Sequence, residues 1–585
     1  MPRYPFLLLS LALSLFPVTI YASQATDAVA PEPATGQREH ALVTGKQWMV
    51  TTAHPLASKA GATILANGGN AIDAMVAVQL VLGLVEPQSS GLGGGAFLLY
   101  WDGKQKQLTS FDGRETAPQA VTPRLFQDEQ GQPLKFYDAV VGGRSVGTPG
   151  TVQLLWQVHQ RYGKLPWNHL FDNAIELAEQ GFVISPRLAA MIEKDAERLG
   201  RYSTTRSYFF DAQGQPRQAG SLMVNPEYAD TLRLLAQHGA EIFYQGEIGD
   251  DIVNTVRQAK GNPGLLAKQD LRRYQAKQRP PVCSPYHEYQ VCGMGPPSSG
   301  ALTVGQILAI TEQFDLRGWG PTSATSWQVL ADASRLAFAD RSRYMADADY
   351  VAMPVQGLLD SDYLRQRAKL ITPGKALKSV APGQPPWYHA RRYADDESLE
   401  LASTSHFNIR DRDGNLVSMT TTIENAFGSR LMVRGFLLNN ELTDFSFRTH
   451  DNDRPIANQI APGKRPRSSM APTIVLRQGI PYLAIGSPGG SRIIGYVAQA
   501  IIAHTQWGLD IQQAINQPHL LSRFGELELE QGTEAVRFAA ELQRIGYQVK
   551  ESELNSGLHA IRIDGKQLQG AADPRREGLA VSDNK

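Results

Sequence analysis

Thr404 opens a predicted strand directly after a polar connector, and this placement gives it a chemistry of its own. The strand begins Thr404-Ser405-His406, and the connector before it is rich in Pro, Gly and charged residues. Cleavage before Thr404 would create a free α-amine, whose pKa lies well below that of a lysine. Such an amine can take the proton from the threonine's own hydroxyl, which then acts as a nucleophile. The alternative is an ordinary strand residue, because threonine favours extended backbone.

Two other motifs do not fit the chemistry that they suggest. Gly143–Gly147 matches G-x-S-x-G, but that elbow needs a helix directly after its serine, and Gly-Thr-Pro-Gly follows here. The segment 411–422 begins like a calcium loop, but Leu416 stands where the loop needs glycine. The 12 histidines form no H-E-x-x-H or similar cluster. We therefore expect turns at both motifs, and neither a metal nor a cofactor.

The N-terminus predicts export. One cation, Arg3, precedes the apolar run Pro5–Ala22, and small or polar residues follow. This is the pattern of a secretory signal peptide, placed at 1–22. The run is long enough to be a membrane anchor instead, but Pro17 and the lack of basic residues beyond it favour cleavage. We expect a periplasmic or secreted protein with no membrane contact after signal removal.

Export changes the interpretation of the two cysteines, Cys283 and Cys292, in PVCSPYHEYQVC. If His287 and Glu288 form a two-residue hairpin turn, the cysteines face each other in a non-hydrogen-bonded pair, the closer kind. A cross-strand disulfide then fits an oxidising compartment. The alternative is two buried free thiols. We favour the disulfide, because Pro285 disturbs the second strand pairing.

The elements that must position Thr404 change character along the chain. Helices come first, among them a buried one over Ala71–Val85 capped by Asn70, and a strand over Ala96–Trp101 follows a glycine-rich turn. A connector without helical or strand period covers 375–398. Two hairpins and an apolar helix, Ser491–His504, follow it. Helices, antiparallel strands and helices again suggest a sheet covered on both faces.

Composition excludes several classes of protein. The chain has 57 Lys+Arg and 57 Asp+Glu, so its formal net charge of zero does not favour nucleic-acid binding. Hydrophobic residues make up 42% and charged residues 19%, which is ordinary for a globular protein with a core. The length of 585 residues would by itself suggest about four domains.

Many ordered motifs resemble those of the γ-glutamyltranspeptidase family. They are AHPLASKAGATILANGGNAIDAMVA, EPQSSGLGGGAFLLY, DGRETAP, GPPSSG, STSHFNIRDRDGNLVSMTTTIENAFGS, GFLLNNELTDFS, KRPRSSMAPTIV and GSPGGSRII. The resemblance runs from about residue 45 to about residue 575. It implies an α+β fold, the four-layer αββα sandwich of N-terminal-nucleophile hydrolases. It also implies a precursor that cuts itself between Ser403 and Thr404. The large subunit 23–403 and the small subunit 404–585 would stay together as a heterodimer with one shared core.

The resemblance also assigns catalytic roles. Thr404 matches the nucleophile, which first attacks the preceding carbonyl and later forms the γ-glutamyl ester. Thr422 matches the threonine that hydrogen-bonds and tunes the new terminus. Gly489 and Gly490 match the oxyanion hole, where glycine lets backbone N–H groups come close to a developing negative charge. The alternative for the two glycines is a tight turn before the following helix, and both roles are compatible.

A clamp for a free α-amino acid head follows from the same resemblance. Arg114 matches the arginine that grips the substrate α-carboxylate, for which a guanidinium has bidentate geometry. Ser468 and Ser469 match the pair that hydrogen-bonds that carboxylate. Glu441 and Asp444 match the positions that hold the α-ammonium. The alternatives are an exposed arginine and a solvated acidic pair.

The chain departs from the family pattern in two places. Glu424 stands where many members have an Asn that contacts the amino-acid head, and a carboxylate there either strengthens ammonium binding or repels the α-carboxylate. The segment between Ser446 and Lys464 is short and contains no Tyr or Trp, whereas well-known bacterial members carry a lid with a tyrosine there. We therefore expect hydrolysis over transfer and a relaxed choice of substrate.

These observations predict a self-processing γ-glutamyl hydrolase/transferase that acts on glutathione and related amides through a threonyl acyl-enzyme. The acceptor is water, an amino acid or a peptide. One alternative is the same machinery acting as an acylase on glutaryl-type cephalosporin amides, which lack the ammonium. The other is a secreted binding protein that never matures and has no activity.

Overall fold

The computed structural model describes residues 39–389, 392–398 and 403–584. The predicted signal peptide at 1–22 lies outside these residues. Within them, the main strands form two seven-stranded antiparallel sheets. No helix of the described chain is long and apolar enough to cross a bilayer.

The strands of the two sheets are numbered in chain order. They are β1 (Val43–Gly45), β2 (Met49–Thr52), β3 (Gly95–Asp102), β4 (Gln107–Gly113), β5 (Lys277–Arg279), β6 (Val282–Tyr286), β7 (Tyr289–Gly293), β8 (Thr404–Arg410), β9 (Leu416–Thr422), β10 (Thr473–Arg477), β11 (Ile480–Gly486), β12 (His559–Asp564), β13 (Gln567–Ala572) and β14 (Leu579–Ser582). Sheet I has the order β14-β2-β8-β9-β3-β4-β5, and sheet II has the order β1-β13-β12-β11-β10-β7-β6. Both sheets contain strands from before residue 403 paired with strands from after it. The two stretches of chain therefore share their sheets and do not form separate domains.

Helices pack against each sheet. Those whose apolar side chains cluster with sheet I include α1 (Pro55–Ala66), α2 (Ala71–Val85), α3 (Thr151–Tyr162), α4 (Asp172–Gln180) and α5 (Pro226–His238). Those that cluster with sheet II include α6 (Gly300–Thr311), α7 (Ala324–Tyr344), α8 (Ile493–Thr505) and α9 (Ile511–Asn516). Further helices lie at Phe136–Val140, Pro186–Lys194, Ala196–Leu199, Ser203–Phe209, Glu241–Tyr244, Glu247–Arg257, Lys268–Arg273, Leu316–Trp319, Val355–Leu358, Ser361–Ala368 and Ala539–Arg544. Small sheets are built from Phe182–Val183, Leu222–Met223, Met432–Val433, Phe436–Leu437, His450–Asp451, Arg454–Pro455, Leu520–Ser522, Leu527–Glu530 and Val549–Ser552.

Successive residues of a strand point to opposite faces of its sheet, so the apolar side chains of sheet I fall into two groups. Leu98 and Tyr100 of β3 cluster with the helices α1 and α2. Leu99 and Trp101 point the other way and cluster with β10 and β11 of sheet II, for example with Ile474. Each sheet thus has one apolar face for helices and one for the opposite sheet. Mixed helices and antiparallel sheets make this an α+β fold.

Helix α2 shows why the sequence folds as predicted near the site. The Asn70 side chain accepts hydrogen bonds from the N–H groups of Ile72 and Asp73, and the Asp73 carboxylate accepts one from the Asn70 N–H. Such a cap contributes about 1 kcal/mol to helix stability. The helix is apolar on nearly all sides and buried throughout most of its length. Its C-terminal end leads directly into the loop beside Thr404.

The turns predicted in place of a calcium loop and of a nucleophile elbow are confirmed. At 411–415 the Asp411 carboxylate accepts hydrogen bonds from the N–H groups of Asp413 and Asn415, which closes the β8–β9 hairpin. At the G-x-S-x-G segment, the Ser145 hydroxyl donates to the Val140 carbonyl at 2.6 Å, and the next helix begins only at Thr151. Ser145 is therefore held by its own turn.

The cysteine hairpin has the predicted register. Strands β6 and β7 pair Tyr286 with Tyr289 and Cys283 with Cys292, so the turn consists of two residues. The two sulfurs form a disulfide, with the Cα atoms 4.0 Å apart. This bond closes a short loop at the edge of sheet II.

Replacing both cysteines by alanine is expected to lower the free energy of unfolding by about 2 to 3 kcal/mol, because the unfolded chain loses a constraint on a loop of roughly ten residues. Activity should remain near that of the wild type, since the disulfide joins the edge strand β6 to its neighbour β7 in sheet II, whereas Thr404 lies in sheet I. Denaturant unfolding of both proteins under oxidising conditions measures the difference. A loss below about 0.5 kcal/mol would mean that the disulfide adds no constraint beyond that of the hairpin.

Candidate active site

Thr404 and Thr422 face each other across the β8–β9 hairpin. The Thr404 hydroxyl donates a hydrogen bond to the Thr422 hydroxyl at 3.3 Å, and the Thr422 hydroxyl donates to the Ser403 carbonyl oxygen at 2.7 Å. The N–H of Glu424 donates to the same Thr422 oxygen at 2.9 Å. Thr422 thus connects the predicted nucleophile with the carbonyl that precedes it. All of these residues are buried.

The loop after α2 holds the residue before Thr404. The Ser403 hydroxyl donates to the carbonyl of Gln88. The carbonyl of Ser89 accepts from the N–H of Ile423, at the end of β9. Gly94 lies so close to this strand end that a Cβ there would collide with the Thr422 carbonyl. The Gly-rich motif therefore permits close backbone contact beside the Ser403–Thr404 bond.

Arg114 is buried in direct contact with the two acids predicted to share its ligand. Its guanidinium pairs with Glu441 and, at 2.6 Å, with Asp444, and only 1% of the arginine side chain is exposed. It also donates to the backbone carbonyls of Pro466 at 3.2 Å and Arg467 at 2.7 Å. The structure therefore brings together the predicted cation and anions of the clamp. Here the one arginine pairs with both acids.

The two predicted serines follow Arg467 directly. The Ser468 hydroxyl accepts from the N–H of Met470 at 3.1 Å, and the Ser469 hydroxyl accepts from Arg341 at 2.7 Å. Both serines are buried. The backbone carbonyl of Arg467 bonds to Arg114, so the serine pair begins one residue from the guanidinium contact.

Glu424 lies two residues beyond Thr422, with positive φ. Its carboxylate accepts a hydrogen bond from the side chain of Asn440, which directly precedes Glu441. Glu424 also contributes to the electrostatic environment of Glu441. The family departure noted in the sequence thus lies between the nucleophile pair and the acidic part of the clamp.

Glu115 is a buried acid that sequence reasoning did not select. Gly95 and Gly147 leave room for its side chain, since a Cβ at either position would press against it. Burial raises the pKa of Glu115 to about 8, although Arg114 opposes the shift. Burial also raises the pKa of Glu441 well above its usual range, against the same arginine. The sequence feature that could have pointed to Glu115 is its position next to Arg114 in DGRETAP.

Replacing Glu115 by Gln is expected to change how stability depends on pH. A carboxyl whose pKa is raised on folding stabilises the protein fully below its unfolded value and loses that contribution as pH rises through the folded value. Between about pH 5 and pH 8 the wild type should therefore lose up to about 1.4 kcal/mol per pH unit for this proton, and the variant should not. Denaturant unfolding across this range measures the difference. Glu129→Gln, at an exposed position, is the control, and equal slopes in all three proteins would contradict the shift.

The acidic cluster around Arg114 offers no metal site. No group of three or more His, Cys, Asp or Glu side chains is arranged to hold a metal ion in the parts of the chain that the structure describes. The cluster instead combines Glu115, Glu441 and Asp444 with one guanidinium. Three carboxyls around one guanidinium would bind a positively charged group of a ligand most readily.

Gly489 and Gly490 form the turn between β11 and α8. Their φ angles are 134° and 57°, the region that favours glycine, and a Cβ on Gly489 would press against the ring of Tyr496. One 3-10 turn, Gly490–Arg492, precedes the α-helix that begins at Ile493. The glycines are thus at a helix N-terminus, where backbone N–H groups favour negative charge.

Arg576 connects this turn with Thr404. Its guanidinium donates to the Thr404 carbonyl at 3.3 Å. Gly557 packs between the arginine and Pro488, the residue before Gly489. The structure therefore brings the end of β11 to the start of β8, although the two strands belong to different sheets. No pattern around Arg576 in the sequence indicated this contact.

A cavity of about 380 Å³ opens beside the clamp. Its lining includes Thr443, next to Asp444, and Ser398 from the connector. The connector is fastened there, because Asp396 pairs with Arg467 at 3.0 Å. The connector residues Asp396 and Ser398 thus lie beside the motif that carries the serine pair.

Comparisons with known proteins agree with this geometry. The family model for gamma-glutamyltranspeptidase matches residues 57–582. A glutathione hydrolase proenzyme from Bacillus subtilis is 36% identical over 570 residues, covering 95% of each chain. One from Escherichia coli is 35% identical over 569 residues, covering 94% of this chain and 95% of its own.

Two solved structures extend the comparison to the fold. A cephalosporin acylase from Bacillus halodurans superposes with a TM-score of 0.82 at 26% identity, over 95% of this chain and 99% of its own. The gamma-glutamyltranspeptidase of Helicobacter pylori gives a TM-score of 0.55 at 34% identity, over 60% of this chain and 97% of its own. With the matched family model and these relatives, the chain belongs to the γ-glutamyltranspeptidase family.

Proposed function

We propose that this protein is a self-processing enzyme that hydrolyses or transfers the γ-glutamyl group of glutathione and related amides. The observation that carries the proposal is the hydrogen-bonded row from the Thr404 hydroxyl through Thr422 to the Ser403 carbonyl. A hydroxyl on one side and a polarised carbonyl on the other are what a self-cleaving threonine needs.

The first reaction would cut the chain between Ser403 and Thr404. The Thr404 oxygen attacks the Ser403 carbonyl carbon, while the Thr422 hydroxyl stabilises the negative charge that develops on the carbonyl oxygen. The C–N bond breaks, and the proton from the Thr404 hydroxyl ends on the released nitrogen. Water then hydrolyses the resulting ester. This step leaves a large subunit, 23–403, and a small subunit, 404–585, which remain a heterodimer because they share both sheets.

The mature enzyme would use the new α-amine of Thr404 as a general base. The amine takes the hydroxyl proton, the oxygen attacks the γ-amide carbon, and the leaving amine takes the proton. The N–H groups at Gly489 and Gly490 would stabilise the oxyanion. Water, or the amine of an amino acid or peptide, then attacks the acyl ester.

The amino-acid head of the substrate would take the place of the ion pairs that Arg114 now makes with Glu441 and Asp444. The α-carboxylate would bind Arg114 together with Ser468 and Ser469. The α-ammonium would bind Glu441 and Asp444, with Glu424 adding negative charge nearby. The excess of buried carboxyls over guanidinium groups around Arg114 supports a donor that carries an ammonium.

The finer architecture and the location of the enzyme complete the proposal. The helices α1–α5, sheet I, sheet II and the helices α6–α9 would be the four layers of an αββα sandwich of the N-terminal-nucleophile hydrolase type. The predicted signal peptide supports a periplasmic or secreted enzyme. The short segment 447–463, without Tyr or Trp, supports hydrolysis over transfer.

An acylase acting on glutaryl-type amides is the second candidate, and the similarity to the cephalosporin acylase of Bacillus halodurans favours it. Purified protein assayed with a γ-glutamyl anilide and a glutaryl anilide separates the two. We expect kcat/KM to be at least about 100-fold higher for the γ-glutamyl compound, because the glutaryl compound leaves buried carboxyls without their cation. The reverse preference would favour the acylase, and one uncut band without activity would favour the inactive binding protein.

Mostly transfer product from glutathione and a dipeptide at neutral pH would contradict the preference for hydrolysis.

A further inference from the structure

A row of buried polar side chains runs along the hairpin from Thr404 into the space between the sheets. Thr404, His406 and Asn408 lie on one face of β8, because successive strand residues point to opposite faces. On β9 their register partners are Thr422, Thr420 and Ser418. Elsewhere the same space is filled by apolar side chains. A histidine in this position therefore needs an explanation beyond packing.

The hydrogen bonds of His406 fix its chemical form. Its Nδ1 lies 2.8 Å from the Thr420 hydroxyl and its Nε2 lies 3.2 Å from Oδ1 of Asn408. The Asn408 amide nitrogen donates to the His559 carbonyl at 2.8 Å, so its oxygen must face the histidine. The Nε2 atom then carries the proton and Nδ1 accepts one from Thr420. Burial, with a contribution from His559, lowers the pKa of His406 to about 3, so the ring is neutral at working pH.

The ring of His406 lies directly on the backbone of Gly486. A Cβ at that position would collide with the imidazole, so only glycine permits the contact. Gly486 is the last residue of β11 and pairs in register with His559 of β12. Three residues later the chain reaches Gly489. The imidazole thus fills the gap between the strand that begins with Thr404 and the strand that ends at the glycine turn.

We propose that His406 is a positioning residue that sets the distance between the Thr404 hydroxyl and the N–H groups of Gly489 and Gly490. It acts as a neutral spacer, held from sheet I by Thr420 and Asn408 and seated on Gly486 in sheet II. This role rests on the proposed function, because the oxyanion forms only during acyl transfer. Since the substrate head binds at Arg114, a displaced glycine turn should weaken transition-state stabilisation and leave substrate binding largely unchanged.

The test is steady-state kinetics of His406→Gln and Thr420→Val with a γ-glutamyl anilide. We expect His406→Gln to lower kcat by about 10- to 100-fold, with KM within about threefold of the wild type, because a misaligned oxyanion donor acts only in the transition state. Thr420→Val removes one hydrogen bond and keeps the ring, so kcat should fall by about 3- to 10-fold. If His406→Gln does not fold, the second variant alone decides. The pH profile of kcat should keep the limbs of the wild type in both variants.

His54→Gln is the matched control, because His54 is also buried but caps the start of α1. It should lower the melting temperature and leave kcat unchanged. Correctly folded His406→Gln and Thr420→Val proteins with wild-type kcat would overturn the positioning role. If the pH profile of kcat lost its acidic limb in His406→Gln, the positioning role would also be overturned, because the His406 ring would then be a titrating base. A wild type without γ-glutamyl activity would instead contradict the proposed function.

Discussion

The Thr404→Ala protein is expected to remain one uncut chain without measurable γ-glutamyl activity. The substitution removes the oxygen that would attack the Ser403 carbonyl, and in the mature enzyme it removes the oxygen that would carry the acyl group. Both reactions therefore lose their nucleophile, and neither has a substitute, since the Thr422 hydroxyl already donates to the Ser403 carbonyl. A denaturing gel with N-terminal sequencing measures the first effect, and a γ-glutamyl anilide assay measures the second.

Two control variants separate loss of the nucleophile from loss of the fold. Thr404→Ser keeps the oxygen and should still self-cleave, though more slowly, because the less restricted side chain leaves its attacking position more often. Ser405→Ala changes the next side chain, which points to the opposite face and contacts Glu86. This variant should be processed fully. A fully cut Thr404→Ala protein would refute the assignment of the nucleophile.

The second large effect is expected at Arg114. Replacement by Lys keeps the positive charge among the buried acids, and it removes the fork that can bind a carboxylate through two parallel hydrogen bonds. We expect kcat/KM for the γ-glutamyl anilide to fall by on the order of 100-fold or more, mainly through KM. Replacement by Ala should also lower the free energy of unfolding by about 3 to 5 kcal/mol, because Glu441 and Asp444 would lose their buried cation.

Arg434→Lys is the control for Arg114→Lys. Arg434 is a partly buried arginine that pairs with Asp251 at 2.5 Å and with Glu247 at 3.3 Å. Its replacement should leave KM and kcat near their wild-type values. If Arg114→Lys kept the wild-type KM, the guanidinium would have no role in substrate binding, and the clamp would need another cation.

Local structure could be predicted because its causes are local. The cap at Asn70, the hairpin turn at Asp411 and the register that joins Cys283 to Cys292 all depend on residues within a few positions of one another. The α+β class followed from the order of such elements together with the family resemblance. Thr404 was singled out by its placement and by the resemblance, the other site residues by the resemblance alone, and their chemical roles remain predictions that the experiments above test.

Contacts between distant segments could not be predicted in this way. Glu115 was missed because its pKa depends on burial against Gly95 and Gly147, and burial is a property of the packed molecule. Arg576 was missed because its contact with Thr404 joins residues far apart in the chain.

By itself, the sequence determined which residue types stand at Thr404, Thr422 and Arg114, and which local elements carry them, because turn chemistry and strand period act over a few residues. Only the tertiary structure decided that Arg114 pairs with Glu441 and Asp444 and that His406 lies against Gly486. The physical reason is that ion pairing and close packing depend on distances between strands and loops that meet only after the two sheets have assembled.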